Sequence, residues 1–141
     1  MLGIIIILFF NKNKLNDQLS KMYLEQSKYD KNSNIGDNQW REFKLPKDDG
    51  YIVTFLEFGA KGCVACMKME KVLENVKNNY PEINVIFVNV LTEKGKPIAK
   101  EFGIISIPCQ VLLDNNGVEF YRHNGFLNFK EFQNQFEDHL K

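Results

Sequence analysis

Residues 51–80 read Y-I-V-T-F-L-E-F-G-A-K-G-C-V-A-C-M-K-M-E-K-V-L-E-N-V-K-N-N-Y. The first eight residues are largely apolar, interrupted only by Thr54 and Glu57, and they predict a central strand buried on both faces. From Met67 to Tyr80 the apolar residues recur at helical spacing, which predicts an amphipathic helix. The motif C-V-A-C therefore stands where a strand ends and a helix begins.

The rest of the C-terminal part alternates strand and helix patterns. A second buried strand is predicted at 84–90 and a short helix at 97–102. A hairpin around N-N-G is predicted to join strands 110–114 and 118–122, and an amphipathic helix follows at 128–140. Strand–helix–strand units imply parallel pairing and the hairpin adds antiparallel strands. We therefore expect an α/β fold, with a mixed central sheet of four to five strands covered by helices on both faces.

The N-terminal part has a different composition. Residues 1–10 are apolar, which is typical of a signal or membrane-anchor segment, although a buried first strand is the alternative. No Lys or Arg precedes this run, and it is too short to span a membrane alone. Residues 11–39 are polar and predict a linker with a short helix, or a helix packed on the domain. The folded domain is predicted to occupy residues 40–141.

Composition excludes several classes of function. The chain has 141 residues, with 18 Lys and Arg against 18 Asp and Glu. This length fits one domain, for which we expect a monomer. A net charge of zero gives no field that favours nucleic acid, so we expect no nucleic-acid partner. Only three cysteines are present, too few for a disulfide-stapled secreted scaffold.

Cys63 and Cys66 carry the predicted chemistry. A helix N-terminus offers unpaired N–H groups and partial positive charge, which stabilise a thiolate. We therefore expect Cys63 to be the nucleophile and Cys66, one turn later, to be the resolving thiol. A zinc site is the alternative, but zinc needs further ligands, and only Cys109, His123 and His139 remain. We expect neither a cofactor nor a resident metal.

Three segments in this order resemble the thioredoxin family over about residues 53–136. They are E-F-G-A-K-G-C-V-A-C at 57–66, A-K-E-F-G-I-I-S-I-P at 99–108, and the hairpin that begins with Q-V-L-L-D at 110–114. In the family these segments are the active-site strand and loop, the segment that leads to a cis-proline, and the following hairpin. The resemblance implies a thioredoxin-like fold.

The resemblance also implies residue roles. Pro108 matches the family's cis-proline, which packs against the two cysteines, and the backbone of Ile107 matches the position that pairs with a bound peptide. Glu57 lies where the family keeps a buried acid, which would act as a general base for Cys66. Burial would raise its pKa toward the working range. The alternative for Glu57 is a carboxylate in a salt bridge or at the rim of the site.

The chain departs from the family's usual pattern near the motif. Gly62 precedes the first cysteine where the family usually has Trp, and Val64-Ala65 replaces the Gly-Pro that thioredoxins usually have. Lys71 stands near the place of a mid-helix proline. The dipeptide between the cysteines tunes the redox potential, so its change leaves the direction of electron flow open.

Cys109 follows Pro108, and we expect it to lie near Cys63 and Cys66 if the fold holds. Three roles are then open for Cys109: a small buried residue that fills space in the core, a member of the redox cycle, or the third thiolate of a site for a soft metal such as Cu(I).

These observations predict a protein-disulfide reductase outside the cytoplasm, tethered to the membrane or secreted. Its expected partners are protein disulfide or dithiol substrates and an upstream redox partner. Two alternatives stay open: a module that binds a soft metal or a client peptide through Cys63, Cys66 and Cys109, and a general thioredoxin of the cytoplasm.

Overall fold

The computed structural model describes residues 50–139 and six residues nearer the N-terminus. Those six are helical: Lys14, Leu15, Gln18, Leu19, Lys21 and Met22. The apolar segment at 1–10 and most of the predicted linker lie outside the described residues, as does the start of the predicted domain, so the division of the chain stays a prediction. None of the helices in these described residues combines the length and the apolar character that a membrane span requires.

Strands and helices follow one another in the order that the sequence predicts. The elements are β1 (Val53–Gly59), α1 (Val64–Asn79), β2 (Ile83–Asn89), α2 (Gly95–Glu101), β3 (Cys109–Asp114), β4 (Glu119–Asn124) and α3 (Phe129–His139). The bounds differ from the predicted ones by three residues at most, the largest difference being the earlier start of α1.

The four strands form one mixed sheet in the order β2-β1-β3-β4. β1 pairs in parallel with β2 and antiparallel with β3, and β3 and β4 form an antiparallel hairpin. This architecture confirms the predicted α/β thioredoxin-like fold with a mixed sheet.

One face of the sheet, here called the α1/α3 face, packs against helices α1 and α3. Side chains alternate between faces along a strand, so Val53, Phe55 and Glu57 point this way, and a Cβ at Gly59 would do the same. The cluster on this face is apolar: Val53, Phe55, Met69, Val72, Leu73, Val76, Ile83, Leu112, Leu127, Phe132 and Phe136. The predicted inward face of α1 is therefore the face that builds this cluster.

The opposite face, here called the α2 face, packs against helix α2. Leu56 and Phe58 of β1 point this way and meet Ile98 and Ala99 of α2. Helices thus cover both faces, as the sequence predicts, and β1 is buried along its whole length.

β2 forms where the sequence predicts a second buried strand, but its burial is only partial. Ile83 and Val88 are buried, but the Phe87 side chain is 51% exposed. β2 lies at one end of the strand order in the described sheet, so only one of its edges is paired there. An apolar run alone does not distinguish a central strand from a half-covered one.

Candidate active site

Cys63 and Cys66 are joined by a disulfide at the N-terminus of α1. Cys63 is the N-cap residue of that helix, with extended backbone angles. Its Sγ accepts a hydrogen bond from the backbone N–H of Cys66 at 3.2 Å. No acidic residue stands in the first turn of α1. The helix end therefore offers N–H groups and partial positive charge to a sulfur at Cys63.

The two cysteines differ in exposure. Cys66 is buried, with 5% of its surface exposed, while Cys63 is partly exposed. An incoming disulfide can therefore reach Cys63 more easily than Cys66.

Cys66 packs over the end of β1. A Cβ atom placed on Gly59 would lie 3.4 Å from the Cβ of Cys66 and 2.9 Å from Cε2 of Phe87. The absent side chain of Gly59 thus lets both residues close over the strand. A groove opens beside them, lined by Ala60, Lys61, Gly62, Cys66, Met67, Glu70, Phe87 and Asn89.

Glu57 lies on the same face of the sheet as Gly59, two residues earlier in β1, and so on the face that carries Cys66. Its side chain is fully buried. Gln110, directly opposite in β3, donates a hydrogen bond from Nε2 to Glu57 Oε2 at 3.0 Å. Within the described residues, Glu57 Oε1 and Gln110 Oε1 have no hydrogen-bond partner.

The burial of Glu57 changes its ionisation. Desolvation raises the pKa of this carboxyl from 4.5 to about 8, although the hydrogen bond from Gln110 works in the opposite direction. At neutral pH the group is therefore mainly protonated, and it ionises just above neutrality. Such a pKa suits a group that takes up and releases a proton during turnover.

Pro108 lies at the same end of the sheet as the disulfide. The register pairs Phe58 with Cys109, which places Pro108, one residue earlier, at the level of Gly59. The Ile107–Pro108 peptide bond is cis. The Pro108 carbonyl accepts a hydrogen bond from Gly125 N at 2.7 Å, while the backbone of Ile107 takes part in none of the hydrogen bonds found within the described residues.

Apolar side chains are exposed in the segments that surround the disulfide. Val64 and Met67 are 64% and 51% exposed on α1, and Phe87 is 51% exposed on β2. Ile105, three residues before Pro108, is 42% exposed, and Phe126, directly after Gly125, is 46% exposed. A disulfide or thiol brought to Cys63 would therefore meet a surface that can bind apolar side chains.

Cys109 does not lie with the other two cysteines, and that expectation is wrong. Its side chain is fully buried in the cluster on the α2 face, where it packs with Phe58 and Val111. Cys66 and Glu57 lie on the α1/α3 face, so the sheet separates Cys109 from the redox pair. The three sulfurs cannot together bind one soft metal ion in this arrangement.

The zinc alternative finds no support in the described part of the chain. No group of three or more His, Cys, Asp or Glu side chains there could hold a metal ion. His139 stacks on Phe120 with ring centroids 3.6 Å apart, and His123 Nε2 lies 3.3 Å from the Phe126 carbonyl oxygen. Both histidines thus have structural neighbours of their own.

Two residues of the site were missed from the sequence. Gln110 is a polar residue inside the apolar run of β3, and that polarity was a signal that its side chain has a buried partner. Gly59 ends β1, and a glycine inside a strand pattern marks a close approach of another group. Neither signal says which group is approached, since that depends on the strand register.

The comparisons with known proteins agree with this geometry. A thioredoxin NaTrxh from Nicotiana alata is 25% identical, with a TM-score of 0.60 over 74% of this chain and 87% of that one. Thioredoxin-2 of a malaria parasite, described as a component of the parasite's protein secretion machinery, is 25% identical, with a TM-score of 0.58 over 62% and 84%. Mitochondrial thioredoxin 3 of Saccharomyces cerevisiae, in its oxidised form, is 23% identical, with a TM-score of 0.57 over 69% and 87%, and supports the fold alone.

No curated protein matches the chain. The model of a thioredoxin-like domain matches residues 41–140, well over half of the sequence. Together with the disulfide-bonded pair, this match suggests thiol–disulfide oxidoreductase activity with protein thiols or disulfides as partners. The chain belongs to the thioredoxin-like domain family.

Proposed function

We propose that the protein reduces disulfides of other proteins through Cys63 and Cys66. The observation that carries the proposal is the site itself: a disulfide at a helix N-terminus, with one sulfur accepting a backbone N–H and a buried carboxyl on the sheet face below. The exposed apolar side chains around the pair support a polypeptide as the substrate.

The first step uses Cys63. In the reduced protein its thiolate attacks one sulfur of the client disulfide, so the client S–S bond breaks and a Cys63–client disulfide forms. The departing client sulfur carries away the electron pair and takes a proton from water. The helix N-terminus stabilises the attacking thiolate before this step.

The second step uses Cys66 and Glu57. The Cys66 thiol gives its proton to the Glu57 carboxylate and attacks Cys63 Sγ, which forms the intramolecular disulfide. The second client sulfur leaves with the electron pair and is protonated. Two electrons have then passed from the protein to the client, and an external dithiol must supply two electrons to restore Cys63 and Cys66.

Reduction of insulin by the reduced protein, with dithiothreitol as the external dithiol, tests the function. We expect turnover with the wild type and its loss in Cys63→Ala. Cys66→Ala should accumulate a Cys63–insulin disulfide that mass spectrometry detects. Cys109→Ala is the matched control, because Cys109 lies on the other face of the sheet, and it should keep wild-type turnover.

Two results would contradict the proposal. Full turnover by Cys63→Ala would show that the pair does not carry the reaction. Insulin turnover by the wild type no faster than that with dithiothreitol alone would show that protein disulfides are not reduced.

The proposed location is outside the cytoplasm, with the chain tethered or secreted through residues 1–10. The support is the composition of that segment, L-G-I-I-I-I-L-F-F at 2–10. Fractionation of cells that express the full chain tests this part. Recovery in membranes or outside the cytoplasm is expected, and fully soluble cytosolic protein would contradict it.

A further inference from the structure

Gln110 occupies a position where an apolar side chain would be expected. It is fully buried in β3, between Cys109 and Val111 in sequence and directly opposite Glu57 across the antiparallel pair. Its Oε1 has no hydrogen-bond partner within the described residues. A buried polar group left in this state destabilises the folded protein, so the presence of a glutamine here needs a reason other than stability.

The bond to Glu57 supplies that reason. Gln110 is the one side chain in the described part of the chain that hydrogen-bonds the Glu57 carboxyl, and it engages only Oε2. The other oxygen, Oε1, is buried and has no partner there. The carboxyl is therefore held by one oxygen, and the second oxygen remains available to a proton donor.

The neighbours of this pair are few. The strand registers place Phe87, Glu57, Gln110 and His123 in one row across the α1/α3 face. Phe87 is apolar, and His123 Nδ1 lies 3.9 Å from Glu131 Oε1. From α1, Glu70 lines the groove beside Cys66 and Phe87, and the two cysteines can ionise when they are reduced. Among the described residues, the charged or titratable side chains around the pair are thus the cysteines, Glu70 and Lys61 at the groove and, beyond Gln110, His123 with Glu131.

We propose that Gln110 is a positioning residue of the active site, which holds Glu57 by Oε2 so that Oε1 can accept the proton of the Cys66 thiol. This inference rests on the proposed function, because it assigns a role within the second step. In that step the Cys66 S–H bond breaks, its proton binds Glu57 Oε1, and the Cys66 sulfur forms the bond to Cys63. The client sulfur leaves with the electron pair of the broken mixed disulfide.

Gln110→Met tests the proposal, because methionine has a similar length and no N–H donor. A donated hydrogen bond favours the carboxylate, so its loss should raise the pH at which Glu57 ionises. A rise of about one pH unit lowers the carboxylate population about tenfold at neutral pH, and the second step should slow by the same factor.

Stopped-flow reaction of the reduced protein with 5,5′-dithiobis(2-nitrobenzoate) isolates the second step. Attack by Cys63 releases one thionitrobenzoate, and resolution by Cys66 releases the second in a unimolecular phase. We expect Gln110→Met to slow the second phase about tenfold at pH 7 and to shift its pH profile upward by about one pH unit. Leu112→Met, on the same face of β3, is the packing control and should leave the profile unchanged.

A double-mutant comparison separates positioning from a structural role. In a Glu57→Gln background, Gln110→Met should leave the second phase unchanged within about twofold, since its effect passes through the Glu57 carboxyl. An equal slowing in both backgrounds would overturn the proposal, as would an unchanged second phase in Gln110→Met alone.

A measurement on the wild type covers the case in which Gln110→Met fails to fold. The Gln110 side-chain amide resonances of the reduced protein should titrate together with the Glu57 carboxyl carbon, and independent titration would overturn the proposal. Failure of insulin reduction with a normal two-phase reaction would instead reject the proposed function and leave the Gln110–Glu57 linkage intact.

Discussion

At the scale of single residues, the buried Glu57 carboxyl links the stability of the protein to pH. Its carboxyl is fully buried, and the one hydrogen bond that it receives from a side chain, within the described residues, comes from a neutral amide. A single neutral donor does not replace the water that burial removes, so the neutral form is favoured. The same environment that suits proton transfer therefore makes ionisation of Glu57 unfavourable for the folded state.

The first prediction concerns stability against pH. The pKa of Glu57 is about 8 in the folded protein and near its ordinary value of 4.5 when unfolded. Between these values the folded state holds a proton that the unfolded state has lost, so stability falls as pH rises. We expect the free energy of unfolding of the oxidised protein to fall by up to about 1.4 kcal/mol per pH unit from this group.

Urea unfolding between pH 5 and 8 measures this slope. Glu57→Gln should remove most of it, because the amide cannot ionise, and should be more stable than the wild type at pH 8. Glu70→Gln, an exposed glutamate on α1, is the control and should keep the wild-type slope. A wild-type slope that survives in Glu57→Gln would contradict the raised pKa.

The residue types at the site could be predicted from the sequence, whereas their contacts could not. The spacing of Cys63 and Cys66 pointed to the redox pair, and the resemblance to thioredoxins implied that Glu57 is a buried acid, as the structure finds it. The partnership of Glu57 with Gln110 depends on which residues of β1 and β3 stand opposite each other. A shift of one residue in that register would turn Gln110 to the other face of the sheet.

At the scale of elements, the connection from β2 to α2 is a tight turn built on polar contacts. The Asn89 carbonyl accepts hydrogen bonds from Thr92 N at 3.2 Å and from Thr92 Oγ1 at 2.8 Å. Thr92 Oγ1 in turn accepts a hydrogen bond from Gly95 N at 3.0 Å. A Cβ on Gly95 would collide with the Asn89 backbone carbonyl. The start of α2 is thus held directly against the end of β2.

The second prediction compares two glycines. Gly95→Ala should lower the free energy of unfolding by about 2–3 kcal/mol, because backbone must move to admit the methyl group. Gly59→Ala should cost less than about 1 kcal/mol, since its new Cβ meets the half-exposed ring of Phe87, which can rotate away. Denaturant unfolding of both variants in the oxidised state measures the difference.

Equal losses from the two substitutions would contradict this account of the turn. A larger loss at Gly59 would do the same, and would place the tighter backbone packing at the end of β1 instead of at the start of α2.

The elements themselves were largely predictable, and the errors have a common cause. Helical spacing in α1 and the N-N-G turn between β3 and β4 are local signals, and those predictions agree with the structure. The exposure of Phe87 and the position of Cys109 depend on neighbours that are distant in sequence. β2 is only half covered because of its place in the strand order, and Cys109 faces α2 because of its register with Phe58.

At the scale of the whole molecule, the sheet separates two environments for sulfur. Cys63 and Cys66 lie at the N-terminus of α1 on the α1/α3 face, where Cys63 is partly exposed and Cys66 is buried. Cys109 is fully buried among apolar side chains on the α2 face. Ile98 and Ala99 of α2 belong to the same cluster, and Phe102 and Ile104 pack against it, so we expect a reagent to reach Cys109 when this cluster opens or the domain unfolds.

The third prediction uses Cys109 as a probe of this separation. In the oxidised protein, 5,5′-dithiobis(2-nitrobenzoate) should modify Cys109 at least about a thousandfold more slowly under native conditions than in denaturant, since opening costs several kcal/mol. One equivalent should react in denaturant, and none in a Cys109→Ala control. Rapid labelling of Cys109 under native conditions would mean that α2 does not cover the sheet. If Cys109 instead becomes reactive only in the global unfolding transition, the α2 face belongs to the same cooperative core as the α1/α3 face. In that case unfolding, and not catalysis, controls the chemistry of the third cysteine.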